Sequence, residues 1–169
     1  MFAEFTLDSF DYRLLHFLQN DARISQLDLA DRVGLSPTAC ARRIRTLESI
    51  GVIRGYRSDI DAAALGYSTI VIVAISLEKQ SEEMLRNFER AVTRCPNVVS
   101  CHLMSGADDY LLHIAARGIE DYERLHKQYL STLPGVARIK SSFAMREIVR
   151  RSIPDNVFSA SKGAKSPKT

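Results

Sequence analysis

Apolar residues recur at helical spacing three times in the first fifty positions, after which the period shortens to two. Phe10, Leu14, Phe17 and Leu18 make the first stripe and predict a helix from about Asp8, a capping residue, to Asn20. Leu29, Ala30 and Val33 make the second. Ser25 caps it, Asp28 suits its positive end, and Gly34 can take the left-handed conformation that stops it. The third helix opens on Ser36 as N-cap and Pro37 at the first helical position, and closes at Gly51. At about 100° per residue, Cys40, Ile44 and Leu47 share one side of it. Thr38, Arg42, Arg45 and Ser49 share the other, with Arg43 at the flank.

The stretch from Gly51 to Asp59 is short, β-rich and broken by Gly55, which predicts a small extended or hairpin segment carrying Arg54 and Arg57. Small residues from Ala62 to Gly66 read as a linker. Thr69–Leu77 is then a nearly continuous β-branched run, the pattern of a buried strand. Helices are predicted over residues 81–95, stopped by Pro96, and over 119–133, stopped by Pro134-Gly135. Strands are predicted over 98–104, 110–117 and 136 to about 150. Ser105–Asp109 is a polar connection suited to a hairpin.

These elements give an α+β chain: an N-terminal winged helix-turn-helix followed by a ferredoxin-like βαββαβ domain. The expected divisions are 1–60 for the first domain, 61–67 for the linker, 68–152 for the second domain and 153–169 for a polar, aperiodic tail without structure. The third strand sets Leu111, His113 and Ala115 on one face and Leu112 and Ile114 on the other. With apolar residues on both faces and helices for only one, the sheet predicts a partner sheet, most simply from a second copy of the chain.

Charge sharpens the picture. The chain has 169 residues and a net charge of only +3, which by itself says nothing of nucleic acid. From Ser36 to Arg57, however, five arginines face one acid, Glu48, whereas residues 1–35 hold six acids and three bases. The basic excess is focused on the third helix and the segment after it, as a phosphate-binding surface requires. Ser36, Pro37, Thr38, Arg42, Arg43 and Arg45 are thus candidates to meet double-stranded DNA through the third helix, with Arg54 and Arg57 against the backbone. The plain alternative is a solvated charged face. Three irregularly spaced cysteines, Cys40, Cys95 and Cys101, argue for reduced thiols in a cytoplasm and against a disulfide framework or zinc. No run is long enough to span a membrane, and no cofactor or metal motif is present.

The chain resembles the Lrp/AsnC, or feast/famine, family of transcriptional regulators. The resemblance rests on Leu7-Asp8, Asp11, the run from Asn20 to Ser25, Leu29-Ala30, Gly34-Leu35-Ser36-Pro37, Arg43, Leu47, Gly51-Val52-Ile53 and Gly55-Tyr56. It continues through Leu65-Gly66, Gly106, Asp109-Tyr110 and Leu133-Pro134-Gly135-Val136. It implies dimers joined through the sheets and commonly assembled into octamers or hexadecamers. It also implies an amino acid or related effector bound in clefts between dimers, at a loop matched here by Gly106 to Tyr110. The implied effector residues are Leu103, Met104, Gly106, Ala107, Asp108, Asp109 and Tyr110, with Asp108 an extra acid where family members often carry an aromatic or other residue.

For a free amino acid, Asp108 or Asp109 would face the ammonium and backbone N–H groups around Gly106 the carboxylate. As turn chemistry alone, the same residues need bind nothing. The rival from another class is an enzyme on the same fold, akin to the sirohaem decarboxylases, using His102 and His113 on neighbouring strands. No catalytic motif supports it, and such an enzyme has no need of outward Arg42 and Arg45.

Overall fold

The computed structural model describes residues 6–150 and 153–159. The described chain divides into two compact units, one of residues 6–59 together with 149–150 and 153–159 and one of residues 60–148.

The first unit holds α1 (Ser9–Asn20), α2 (Gln26–Val33) and α3 (Pro37–Ser49). Asp8 caps α1 through a reciprocal box: its carboxylate accepts from the N–H groups of Phe10 and Asp11, and Asp11 accepts from the N–H of Asp8. Ser25 and Ser36 cap α2 and α3 as expected, and Gly34 ends α2 at φ 75°. Leu14, Leu29, Ala30, Val33 and Cys40 form the core, with Phe10, Phe17, Leu18 and Ile44 packed against it.

Of the two forms expected after Gly51, extended or hairpin, the structure shows the extended one: residues 51–60 form turns and extended chain with no strand. Neither arm finds a ladder partner, and Gly51 and Gly55 both take positive φ, 76° and 144°. The tail expected to lack structure over residues 153–169 is corrected in its described part, which carries a single helical turn, α6 (Asn156–Ser159); residues 160–169 lie outside the described residues. The tail's apolar members are the reason: the Phe158 ring meets His16 of α1 at 5.1 Å, and Ile153 lines a groove with Leu15, Leu18, Val52 and Ile53.

The second unit is a four-stranded antiparallel sheet of β1 (Thr69–Leu77), β2 (Val98–Leu103), β3 (Tyr110–Ala116) and β4 (Val136–Ala144), in the order β2-β3-β1-β4. Helices α4 (Glu82–Val92) and α5 (Ile119–Gln128) complete the βαββαβ order. Val71, Val73 and Ile75 of β1 and Tyr110, Leu112 and Ile114 of β3 pack with Phe88, Val92, Tyr122 and Leu125 of the helices. Phe88 stacks on Tyr110 with centroids 4.3 Å apart; emptying such a site costs about 3–5 kcal/mol. β4 stops at Ala144 rather than near residue 150, because its partner runs out: Ala144 pairs with Ile70, at the start of β1. On the far face lie Ile70, Ile72, Ala74, Leu111, His113 and Ala115, none of them fully buried within one chain.

Candidate nucleic-acid and effector sites

α3 separates its residues as its sequence requires. Cys40 and Leu47 are buried, whereas Ser36, Pro37, Thr38, Arg42, Arg45 and Ser49 are exposed. Among the described residues no carboxylate pairs with Arg42 or Arg45, and Arg54 and Arg57 of the following segment are likewise exposed and unpaired. An unspent guanidinium on an exposed helix face can bind guanine bidentately or hold a phosphate.

Arg43 is different. Its guanidinium bonds Asp11 at 2.8 Å and Asp8 at 2.8 Å, and lies 5.4 Å over the Phe10 ring. The Asp11 side chain is 4% exposed and Arg43 is its counter-ion. Arg43 therefore ties α3 to the N-cap of α1 and is withdrawn from the groove-facing set. Its place at the flank of the arginine cluster concealed this, since nothing local announces an acid 32 positions away.

The loop between β2 and β3 is anchored from one side and open on the other. Asp109, expected to face a ligand, is buried: its carboxylate accepts from the Leu77 N–H at 2.7 Å and from Gln80 Nε2 at 2.6 Å. Tyr110 is also buried, its hydroxyl donating to Glu89 at 2.9 Å; burial first, then that contact, pushes the phenol well above its usual range. Both residues hold the loop in place and offer it no free polar group. Leu103, Met104, Gly106 and Ala107 are exposed, and Gly106 sits at φ 150° with open space around it. Asp108 is part-buried, accepting from Ser76 Oγ and Arg138 Nη2, both at 3.0 Å. Arg138, from β4, enters the site through the β1–β4 register and not through its local sequence.

His102 and His113 share the far face of the sheet with ring centroids 6.3 Å apart. Cys101 pairs with Leu112 and so belongs to the opposite, helix-covered face, where burial and then Glu89 push its thiol up to about 11. No group of three metal-ligating side chains occurs among the described residues.

Two family profiles match the chain: the AsnC-type helix-turn-helix domain over residues 7–48 and the Lrp/AsnC ligand binding domain over residues 70–154. The chain is 40% identical over 148 residues to the Bkd operon transcriptional regulator of Pseudomonas aeruginosa, covering 88% of this chain and 97% of that protein. Its fold matches an AsnC family transcriptional regulator from Agrobacterium tumefaciens with a TM-score of 0.84 at 34% identity, over 89% of this chain and 99% of the other. It also matches a transcriptional regulator of Neisseria meningitidis, solved as a complex with L-Met, with a TM-score of 0.84 at 29% identity, over 90% and 99% of the two chains.

Proposed function

Because the chain belongs to the Lrp/AsnC family of transcriptional regulators, we propose that it reads double-stranded DNA through α3 as a dimer or larger assembly, and answers an amino acid at the β2–β3 loop. The observation that carries the DNA half is the exposed, unspent pair Arg42 and Arg45 on a helix opened by Ser36, Pro37 and Thr38. A helix of this kind enters the major groove with its first turn near the bases and its N-terminal N–H groups near a phosphate. Arg54 and Arg57 then lie against the backbone, adding affinity without reading sequence. The same pair of arginines favours a regulator over a catalyst, since chemistry on the histidines of the sheet would not require them.

Dimerisation follows from the far face of the sheet. Ile70, Ile72, Ala74, Leu111 and Ala115 form an apolar stripe that a second sheet would cover. Two copies related by a twofold axis present two α3 helices to half-sites about 34 Å apart, or a multiple of it. Such a particle works where the DNA is, in the cytoplasm.

The amino-acid half is supported by the exposed part of the loop, Leu103, Met104, Gly106 and Ala107, with the charged pair Asp108 and Arg138 beside it. An effector that binds two assembly states unequally shifts DNA affinity by a coupling of about 1–3 kcal/mol. The decisive experiment is selection of bound sequences from random DNA by the purified full chain, with and without each amino acid. A twofold-symmetric consensus whose recovery changes with one amino acid is the expected result. Recovery of no consensus overturns the DNA half; a consensus indifferent to every amino acid overturns the effector half.

A further inference from the structure

The segment that carries Arg54 and Arg57 is weakly held by its own neighbours. The Ile53 N–H donates to the Leu47 carbonyl at 3.0 Å, and the Tyr56 hydroxyl donates to Glu48 at 2.9 Å. Among the described residues, positions 54–60 make no backbone–backbone hydrogen bond. Val52 and Tyr56 are half exposed. Extended chain with so few bonds keeps much of its conformational entropy unless packing removes it.

Residues from the other end of the chain supply that packing. The polypeptide leaves the first unit after Asp59 and rejoins it at Val149. Arg150 bonds Asp59 at 3.2 Å, a surface pair that by itself is worth little. Ile153 lines the groove whose apolar walls are Leu15, Leu18, Val52 and Ile53, and Arg54 and Arg57 line the same groove. Phe158 of α6 meets the His16 ring of α1 edge-on at 5.1 Å. Ile153, Val157 and Phe158 are the only large apolar residues after Val149. The two that approach the first three-helix segment, Ile153 and Phe158, are less exposed than Val157.

We propose that residues 150–158 are a positioning clasp for DNA binding. They stand in for the missing strand partner of the extended segment and hold Arg54 and Arg57 where the phosphate backbone passes. This rests on the reading of those two arginines as backbone contacts. Ile153 and Phe158 act through the arginines and not on the nucleic acid: they remove, before binding, disorder that would otherwise oppose it. The clasp also means that both chain segments running to the second unit start from one place, at Asp59 and Arg150.

The test uses the full chain and fluorescence anisotropy on a labelled duplex of unrelated sequence, over a series of salt concentrations. In Ile153→Ser/Phe158→Ala the slope of log affinity against log salt falls by up to about 1.8, at 0.9 for each of two phosphates. Amide exchange at residues 52–57 speeds up in the same variant. Adding Arg54→Ala/Arg57→Ala to it lowers the slope little further, because the arginines are already displaced. Ile153→Ala alone is the milder variant should the double one not fold. A residue that served stability alone would lower the melting temperature and leave the slope of the folded protein where it was. A second background, Lys162→Gln/Lys165→Gln/Lys168→Gln, removes cations that lie outside the described residues, and the clasp variant still lowers the slope there. An unchanged slope, a loss fully additive with that of the arginines, or a loss that disappears in the lysine-free background overturns the clasp. If Arg54→Ala/Arg57→Ala changes nothing in the otherwise wild-type chain, the reading of those arginines as backbone contacts fails first, and the clasp with it.

Discussion

Arg43 of α3 and Asp11 of α1 meet at 2.8 Å, joining the middle of the third helix to the first turn of the first. The contact passes between residues 32 positions apart and places a charge-assisted bond at the edge of the three-helix core. Arg43→Ala leaves the nearly buried Asp11 carboxylate without its counter-ion. The expected cost is about 1–3 kcal/mol of stability in the first unit. Thermal melts followed by circular dichroism measure it, and operator affinity extrapolated to fully folded protein stays near that of the wild type.

The same cluster makes the first unit sensitive to acid. Burial raises the Asp8 carboxyl, but the Asp11 N–H, the Arg43 guanidinium and the Phe10 N–H together outweigh it and hold the group below its ordinary value of 3.8. A depressed folded-state value means that the stabilisation is present above the unfolded value and is lost as pH falls through the folded one. Melting temperatures therefore drop as the solution is taken from about pH 5 to below about pH 4. Asp8→Asn shows a shallower fall over the same interval; an identical profile would remove Asp8 from this role.

Arginines on the helix and on the following segment should differ in kind. Arg42→Ala weakens binding to the selected operator more than to unrelated DNA, by about 1–3 kcal/mol if it reads a base. Arg54→Ala or Arg57→Ala weakens binding to all duplexes alike and lowers the slope of log affinity against log salt by about 0.9 for each phosphate that is no longer neutralised. Gel-shift titrations over a range of salt separate the two outcomes.

Asp109 is an anchor. Asp109→Ala orphans the Leu77 N–H and frees Gln80, so the second unit loses about 1–3 kcal/mol, read from its melting or denaturant midpoint. Any fall in amino-acid affinity then follows from a loosened loop, and appears together with faster backbone hydrogen exchange at residues 104–109.

The far face of the sheet should govern assembly. Ile72→Asp places a charge at the centre of the apolar stripe without touching the helix-covered core formed by Val71 and Val73. Sedimentation equilibrium is expected to show the wild type as a dimer or larger species and the variant shifted towards monomer, with its circular dichroism unchanged.

Most of the architecture was legible along the chain because its determinants are local. Asp8, Ser25 and Ser36 cap helices with their own backbone neighbours, Gly34 ends α2 because a left-handed residue is needed there, and Thr69–Leu77 coincides with β1. The alternation in β3 already divided Leu112 and Ile114 from Leu111 and His113. The sequence likewise showed that arginines concentrate on one exposed side of α3, since helical periodicity alone sorts Arg42 and Arg45 from Cys40 and Leu47.

What the chain in linear order could not settle is which charged groups are already spent. Arg43, Asp109 and Arg138 look no different from their neighbours in sequence. Their roles depend on partners 32, 32 and 30 positions away, at Asp11, Leu77 and Asp108. Packing also decided where β4 ends and where Ile153 and Phe158 of the tail come to rest, because a strand needs a partner and an apolar ring needs a surface. Periodicity and capping are properties of a few adjacent residues and survive in the sequence alone. Ion pairing, strand termination and docking depend on distances through space, which only the folded chain defines.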